Sequence, residues 1–471
     1  MAELKRELGL VPAVATAVGI VVSSSALMMM GQGFGLGGTA FLVAMLIAAF
    51  ANICVAFSFA ELASMVPAAG GINHYTLPAM GPAMGIFAVL TGYFAVSILS
   101  NAAESIIAGT VIYEVFFGST GPSAVAWAVI MMTLLTLINL RGVKSFAMSQ
   151  IFFTAVMIGS MIILSCIGLF GLGTGEPLET PQWGFDMAAG GGVMSMLGIA
   201  FWLFVGLEFV CPMAEEIKNP QKFIPLAMIL GLIIIFISDT LFGLAALKYL
   251  PMEQLGNSAT PHTDAAMAIL GRGGQIWIGI ISLMATCSTL NTFIAAIPRM
   301  LYGMAQEGQF PKVFGRLNRW GSPHWGVILV WFITDVLLVA FGNNEDALGL
   351  INTFVLSGSI GWMICYVIGH IDVMILRSKY PNVNRPFKVP LGGFLLPIIS
   401  TIILVYMMIF ISPDGWNPVT DASKQIWAFI LVCIVIFAIF SVCWVKFKMK
   451  QPLFKPVPLE ELQKRFKTED A

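Results

Sequence analysis

The strongest constraint on this chain comes from twelve apolar stretches, each close to or longer than the roughly 20 residues that a helix needs to cross a bilayer. They lie at residues 11–34, 39–64, 82–117, 122–140, 146–172, 191–213, 223–249, 274–297, 324–342, 347–375, 391–411 and 425–445. Because lipid offers no hydrogen bonds to a free backbone, such segments are stable there as helices. The sequence therefore predicts an all-α integral membrane protein with 12 transmembrane helices.

Composition and net charge restrict the classes of partner. Only 10% of the 471 residues are charged and 58% are hydrophobic, whereas a soluble domain carries about 25% charged residues. The net charge of -1 offers no basic surface for nucleic acid. The seven cysteines are spread over the apolar stretches without a CxxC pair, so neither a metal site nor a cofactor is expected.

Lys and Arg are distributed unevenly between the predicted loops. If both termini lie in the cytoplasm, all but three of the 24 fall on the cytoplasmic side, the exceptions being Lys248, Arg272 and Lys424. Cytoplasmic loops are enriched in these residues, so the distribution predicts cytoplasmic N- and C-termini. The short loops and tails favour a bacterial inner membrane as the location.

The predicted helices divide into two units of five. Helices 1–5 and 6–10 each cross an odd number of times, so tandem units would be inverted relative to one another, as is typical of secondary transporters. The predicted segments are a cytoplasmic N-terminus (1–10), a transport core of helices 1–10 (11–375), a cytoplasmic loop (376–390), helices 11 and 12 (391–445) and a cytoplasmic tail (446–471).

Small residues predict a break in the first helix of each unit. Residues 19–25 of helix 1 read GIVVSSS, and helix 6 contains Gly198, Gly206 and Pro212. Unwound backbone in the middle of a bilayer is tolerated where it lines a polar cavity. Close helix packing at small residues is the alternative explanation for either stretch alone. The equivalent positions of the two stretches favour a binding site.

Three motifs carry a resemblance to a known family. They are AELASMVPAAGGINHYTLPAMGP (60–82), FVGLEFVCPMAEEIKNPQKFIP (204–225) and PRMLYGMAQEGQFPKVFGRLNRWGSP (298–323). Together they resemble the amino acid-polyamine-organocation (APC) superfamily of permeases, with a likeness that spans residues 10–390. The resemblance implies the LeuT-like fold, a 5+5 inverted repeat here followed by two C-terminal helices. It also implies a substrate site between helices 1, 3, 6, 8 and 10, and alternating access.

Individual positions match the antiporters of this superfamily. Trp202, Gly206 and Glu208 look like the helix 6 segment of arginine/agmatine and putrescine antiporters, in which the aromatic ring caps the substrate and the glutamate acts in proton or amine recognition. Asn101 matches a substrate-contacting asparagine of helix 3, and Phe293 matches a position in helix 8 where some relatives stack a ring on the substrate. An aromatic face holds a cation with about 0.5–2 kcal/mol.

The helix 1 break departs from the family pattern. Relatives that bind an α-carboxylate usually have a GSG triplet, whose bare N–H groups receive the anion, whereas this chain has Ser23, Ser24 and Ser25. Serine hydroxyls still donate hydrogen bonds, but each side chain narrows the approach to the backbone. The triplet is therefore predicted to bind the substrate. Whether the substrate carries an α-carboxylate stays open at this point.

Acidic residues inside the apolar stretches are further candidates, because an ionisable group in mid-bilayer costs at least about 2.5 kcal/mol. They are Glu104, Glu208, Asp239 and Asp335, with Glu61, His370 and Asp372 nearer the cytoplasmic ends. Glu104 lies three residues after Asn101, on the same helix face. Glu104 and Glu208 are predicted to form a cradle for an ammonium group. The alternative is that each acid only bonds to neighbouring hydroxyls, and Glu61 is expected to form a structural ion pair with a loop cation.

These features favour a secondary transporter, in contact with the bilayer and a small-molecule substrate. The leading prediction is an amino acid permease, proton-coupled or exchanging, and the alternative is a polyamine or amine permease for a putrescine- or ethanolamine-like compound. Residues 146–172 contain no Lys or Arg, which leaves exchange, a protonated glutamate or sodium as coupling alternatives. An enzyme is disfavoured because the four histidines lie in loops or at helix ends, and no phosphate-binding GxxxxGK[ST] motif supports a pump.

Overall fold

The computed structural model describes residues 4–180, 192–342, 347–411 and 421–466. The predicted cytoplasmic N-terminus, sixth apolar stretch and tail each extend beyond this part of the chain, at residues 1–3, 191 and 467–471. The described residues form helices joined by turns, with one isolated parallel bridge between Leu8 and Ile217. The prediction of an all-α protein is therefore confirmed.

Eighteen α-helices follow one another along the described chain. They are α1 Leu10–Val21, α2 Ser24–Gly37, α3 Phe41–Met65, α4 Ile72–Met80, α5 Pro82–Val89, α6 Ala95–Val111, α7 Ala124–Leu140, α8 Val143–Leu169, α9 Gly192–Ser195, α10 Leu197–Trp202, α11 Pro220–Tyr249, α12 Met252–Asn257, α13 Pro261–Gln306, α14 His324–Phe341, α15 Ala347–Lys379, α16 Leu395–Ile409, α17 Asp421–Cys443 and α18 Leu459–Phe466. π-helical turns at Leu90–Phe94 and Ile112–Phe116 extend α5 and α6 into one long helix.

Within the described residues, nine helical segments are long and apolar enough to cross a membrane. They are Ser24–Met65, Pro82–Phe116, Val143–Leu169, Leu197–Glu216, Pro220–Tyr249, Pro261–Gln306, His324–Phe341, Thr353–Lys379 and Ser423–Met449. Three shorter apolar helices are α1, α7 and α16. The chain is thus a multi-pass membrane protein, and the count of twelve crossings stays a prediction.

Both predicted helix breaks are present. Helix α1 ends at Val21 and α2 begins at Ser24, with an extended backbone between them. Helix α10 ends at Trp202, and a 3₁₀ helix runs over Leu207–Glu216. Gly206 lies between these two segments with a φ of 113°, a conformation that glycine adopts without a Cβ clash.

The distribution of apolar side chains is that of a protein surrounded by lipid. Large hydrophobic residues are exposed on the outer faces of α7, α8, α14 and α16, among them Leu134, Met148, Phe152, Val339 and Ile402. The buried set includes many Ser, Thr and Asn residues, together with five of the acidic residues named above, Glu61, Glu104, Glu208, Asp239 and Asp372. Polar groups are therefore gathered inside the bundle, where they can line a pathway.

Ion pairs lie near the end of the bundle at which the described chain begins and finishes. This terminal face comprises residues 4–9, 66–71, 217–219, 307–323, 380–394 and 450–466. Glu61 pairs with Arg377 at 2.6 Å and with Arg385 at 3.1 Å, which confirms the expected structural ion pair. Glu216 forms a buried pair with Arg299. The other end of the bundle, with residues 112–123, 170–180 and 250–262, is called the opposite face below.

Candidate functional site

The serine triplet forms the start of helix α2 and bonds to three other helices, α6, α10 and α13. The Ser23 hydroxyl accepts a hydrogen bond from the Ala26 N–H at 3.1 Å and so caps the helix. The Ser24 hydroxyl lies 2.7 Å from the hydroxyls of both Ser282 and Thr286 on α13. The first helix break is therefore tied to α13 by hydroxyl contacts.

Glu104 on α6 faces this break and is fully buried. It accepts a hydrogen bond from the Ser25 hydroxyl, and its other oxygen lies 3.4 Å from both the Ser25 N–H and the Thr286 hydroxyl. Among the described residues, no Lys or Arg pairs with Glu104. The carboxyl group is held by hydroxyl and backbone donors alone, an arrangement that a cationic group can join.

Trp202 connects the first break to the second. Its indole N–H donates to the Ser25 hydroxyl at 2.9 Å, and its side chain is 4% exposed. The same serine oxygen thus contacts Trp202 from helix α10 and Glu104 from helix α6. Three of the predicted site residues, from three separate segments, are in direct contact.

Glu208, just past the second break, lies among aromatic donors from α15. The Trp362 indole N–H donates to one carboxyl oxygen at 2.8 Å, and the Tyr366 hydroxyl donates to the other at 2.6 Å. The Gly206 N–H in turn donates to the Tyr366 hydroxyl at 2.9 Å. The sequence analysis did not identify Trp362 and Tyr366, although their spacing of four residues places them on one face of helix α15.

A series of aromatic contacts leads from Trp202, near Glu104, to Trp362, beside Glu208. The Trp202 and Trp362 ring centroids lie 5.9 Å apart in an edge-to-face arrangement. Phe209 lies 5.4 Å from Trp362 and 5.1 Å from Phe293, so the predicted Phe293 belongs to the same cluster. An apolar, ring-lined region thus separates two buried carboxyl groups.

Asn101 is placed differently from the other predicted residues. Its amide donates to the Ser97 hydroxyl at 3.1 Å, one turn earlier on α6, and its carbonyl oxygen makes no hydrogen bond within the described chain. It is buried, but no hydrogen bond of the described chain joins it to Glu104 or Trp202. The expected contact with substrate at Asn101 stays a prediction.

The carbonyl groups freed by the first break are met by α13. The Thr289 hydroxyl lies 3.1 Å from the Gly19 carbonyl oxygen and 3.3 Å from those of Ile20 and Val22. The Thr289 contacts stabilise an unwound backbone that lipid could not satisfy. Farther back, within helix α1, the Gln150 amide of α8 donates to the Ala15 carbonyl at 3.2 Å. Sequence analysis did not identify Thr289, because no pattern distinguishes it from the neighbouring Ser and Thr residues of α13.

Several known transport proteins are similar to this chain over most of its length. The chain is 24% identical over 463 residues to the branched-chain amino acid permease BcaP of Bacillus subtilis (strain 168), covering 93% of each protein. It is 27% identical over 411 residues to the serine/threonine exchanger SteT of the same organism, covering 84% of this chain and 89% of SteT. It is 26% identical over 362 residues to a probable polyamine transporter of Arabidopsis thaliana, covering 75% of this chain and 70% of that protein.

The match to a family model points to the same kind of protein. Residues 8–451 match the model of the family described as amino acid permease. The matched range includes the two helix breaks, both buried glutamates and the aromatic cluster between them. The chain belongs to the amino acid permease family, within the APC superfamily, and is a membrane transporter rather than an enzyme.

Proposed function

We propose that this chain carries an amino acid across the cytoplasmic membrane by alternating access, with the substrate bound between the two helix breaks. The contact of Ser25 with both Glu104 and Trp202 carries the proposal, because it joins the first break, helix α6 and the end of α10 around one buried polar point. In this region the chain offers carboxyl, hydroxyl and aromatic groups to a small ligand, as specific sites in apolar pockets do.

The proposed architecture has twelve crossings, with two inverted units of five followed by two more helices. The crossings are α1 with α2, α3, α5 with α6, α7, α8, α9 with α10 and its 3₁₀ extension, α11, α13, α14, α15, α16 and α17. Hydrogen bonds near the helix ends support the alternation. Lys379 bonds to the Ala79 carbonyl at the terminal face, and Leu178 bonds to the Lys248 carbonyl at the opposite face.

We place the terminal face in the cytoplasm. Apart from Lys248, Arg272 and Lys424, every Lys and Arg of the chain belongs to the terminal-face loops, the helix ends beside them or the tails. This asymmetry is the one that the positive-inside rule describes. The predicted segments at 1–10, 376–390 and 446–471 are then cytoplasmic.

In the proposed site, the ammonium group and the side chain of an amino acid meet different groups. Its ammonium group would lie against Glu104 and the Ser25 hydroxyl, with Trp202 and Phe293 over its side chain and Glu208 beyond the rings. Cation contacts with aromatic faces add to a charged hydrogen bond. Coupling to protons would use Glu208, which accepts a hydrogen bond from Tyr366 next to Gly206, at the second break.

One observation favours an amine substrate as the second candidate. The free N–H groups at the start of α2 would receive an α-carboxylate, yet the Ser25 N–H faces Glu104 at 3.4 Å and the Ala26 N–H is capped by Ser23. A carboxylate entering here has to displace Glu104 or repel it. A putrescine- or ethanolamine-like compound meets no such conflict.

Uptake by purified protein in proteoliposomes separates the two candidates. We expect radiolabelled alanine, isoleucine, serine or arginine to accumulate and putrescine and ethanolamine to be excluded. Uptake of the two carboxylate-free amines alone would replace the amino acid proposal by the amine proposal. If none of the six compounds enters, the proposed substrate class is wrong.

Replacing Glu104 with methionine tests the ammonium cradle. The variant Glu104→Met keeps the side-chain length and removes the charge, so we expect the affinity for the transported compound to fall at least tenfold, since a hydrogen bond to a charged group contributes about 1.5–3 kcal/mol. Glu104→Gln keeps an acceptor for Ser25 and should lose less affinity. Binding is measured by competition on the purified protein. Unchanged affinity in Glu104→Met would place the ammonium group elsewhere.

A further inference from the structure

A second cavity lies at the opposite face, outside the cluster of Ser25, Glu104 and Trp202. Its volume is about 180 Å³. Helices α2, α6 and α13 supply its walls, which include Met28, Thr110, Glu114, His262, Asp264 and Gln275. The same three helices carry Ser25, Glu104 and Thr286 deeper in the bundle.

His262 is the unusual member of this cavity. Its side chain is 1% exposed, and neither ring nitrogen makes a hydrogen bond within the described part of the chain. Burying such a group without a partner is unfavourable by about 1–3 kcal/mol. The preceding residue packs closely against α2, because a Cβ on Gly31 would come within 2.6 Å of the Pro261 side chain. A buried, unpaired imidazole in a cavity wall points to a ligand.

The cavity lies one helical turn outward from the inner cluster. Met28 follows Ser25 by three residues on α2, and Ile107 follows Glu104 by three residues on α6, so each pair shares a helix face. Three residues of α-helix rise by about 4.5 Å. Met28 and Ile107 therefore form the layer between the cavity and the inner site.

The charged groups of the cavity are acidic. Glu114 is an exposed carboxylate at its edge, and Asp264 accepts a hydrogen bond from the Ser258 hydroxyl at 2.5 Å. The nearest basic residue on these helices, Arg272, is engaged by the Val115 carbonyl at 2.7 Å and by Gln275. Among the described residues, no Lys or Arg lines the cavity. Its field therefore favours a cation over an anion.

We infer that this cavity is a separate outer binding site for the ammonium group of a small organic cation or zwitterion, with His262 as a hydrogen-bonding partner. The inference deepens the proposed function and rests on it for its role, which is to hold the substrate before Met28 and Ile107 move aside. Glu114 and Asp264 supply the charge, and His262 supplies a directed polar contact from a buried position in the cavity wall. Occupation of this site does not require an occupied inner site.

Thiol protection tests the outer site without relying on transport. The reporter is Thr110→Cys in a Cys443→Ser background. A membrane-impermeant maleimide is applied to the opposite face. The labelling of the Cys443→Ser protein without the reporter is subtracted. The probe is ethylammonium chloride, compared with sodium chloride at equal concentration. We expect ethylammonium to slow labelling at least threefold. The same slowing should persist in Glu104→Met, whose inner cradle is disabled.

Variants of cavity residues test whether the protection by ethylammonium arises in this cavity. Glu114→Gln and His262→Leu should each abolish the protection by ethylammonium, whereas Glu253→Gln, which changes an exposed carboxylate of α12 outside the cavity, should retain it. Glu114 is exposed, so its variant is expected to fold even if His262→Leu does not. Equal labelling in both salts, or protection that disappears in Glu104→Met and survives in Glu114→Gln, would overturn the inference. Protection in a protein that transports none of the six compounds would leave the site in place and remove only the proposed function.

Discussion

Replacing Glu208 with glutamine is expected to lower the rate of substrate uptake at least a hundredfold and to remove its dependence on pH. The two carboxyl oxygens of Glu208 accept hydrogen bonds from Trp362 and Tyr366. A glutamine offers one acceptor and one NH₂ group, so one of these donors would face another donor. The variant also has no group that takes up a proton. A hundredfold loss corresponds to about 2.7 kcal/mol, within reach of one buried, charged network.

Initial rates of uptake into proteoliposomes, taken over a range of pH, measure this effect. Glu253→Gln provides the matched control, because it makes the same chemical change at an exposed position. Tyr366→Phe should show a smaller loss, since it removes one of the two donors and leaves the carboxyl group. Uptake at the wild-type rate in Glu208→Gln would exclude Glu208 from the transport site.

Breaking the buried pair between Arg299 and Glu216 is expected to have the largest effect on stability. Arg299 donates to both carboxyl oxygens of Glu216, at 3.0 Å for one of them, and to the Ala295 carbonyl. Both side chains are almost fully buried. The variant Arg299→Met leaves a carboxylate without its partner in a low-dielectric site, which costs about 3–5 kcal/mol. The pair connects α13 to the end of the segment that follows the second break.

Thermal unfolding of the detergent-purified protein gives the comparison. Lys144→Met is the control, because Lys144 pairs with Glu7 at 3.1 Å but is 75% exposed, and an exposed pair contributes about 1 kcal/mol or less. The double variant Glu216→Gln with Arg299→Met should recover much of the lost stability, since no unpaired charge remains. Equal shifts in Arg299→Met and Lys144→Met would show that the buried pair is not a stabilising connection.

Hydrophobicity along the chain predicted the helices well but not all of their ends. The apolar stretch at 274–297 corresponds to α13, which extends over Pro261–Gln306. Its first turns lie before a kink at Gly271 and carry polar residues such as His262 and Asp264, which lower the local hydrophobicity. Hydrophobicity averaged over a window of about 20 residues identifies segments that contact lipid. It does not register polar turns that are helical because they pack against other helices.

The helix breaks were predictable because their causes are local. Gly206 adopts a backbone conformation that other residues avoid, and Ser23 is a residue type that caps helices. Trp362 and Tyr366 were not predicted as partners of Glu208, because a sequence places two residues on one helix face but does not say which helix that face meets. The same limit applies to Thr289 and the carbonyl groups of helix α1. Glu104 and Trp202 were both named as candidates, yet their shared contact with Ser25 depends on how three helices are rotated relative to one another.

The structure of this protein with a transported compound bound, determined by cryo-electron microscopy, tests the central claim most directly. We expect ligand density in contact with Ser25 and Trp202, with an ammonium group beside Glu104 and with Glu208 behind the aromatic rings. Density for the transported compound at another place in the bundle, with the contacts of Ser25, Glu104 and Trp202 unchanged, would contradict this placement.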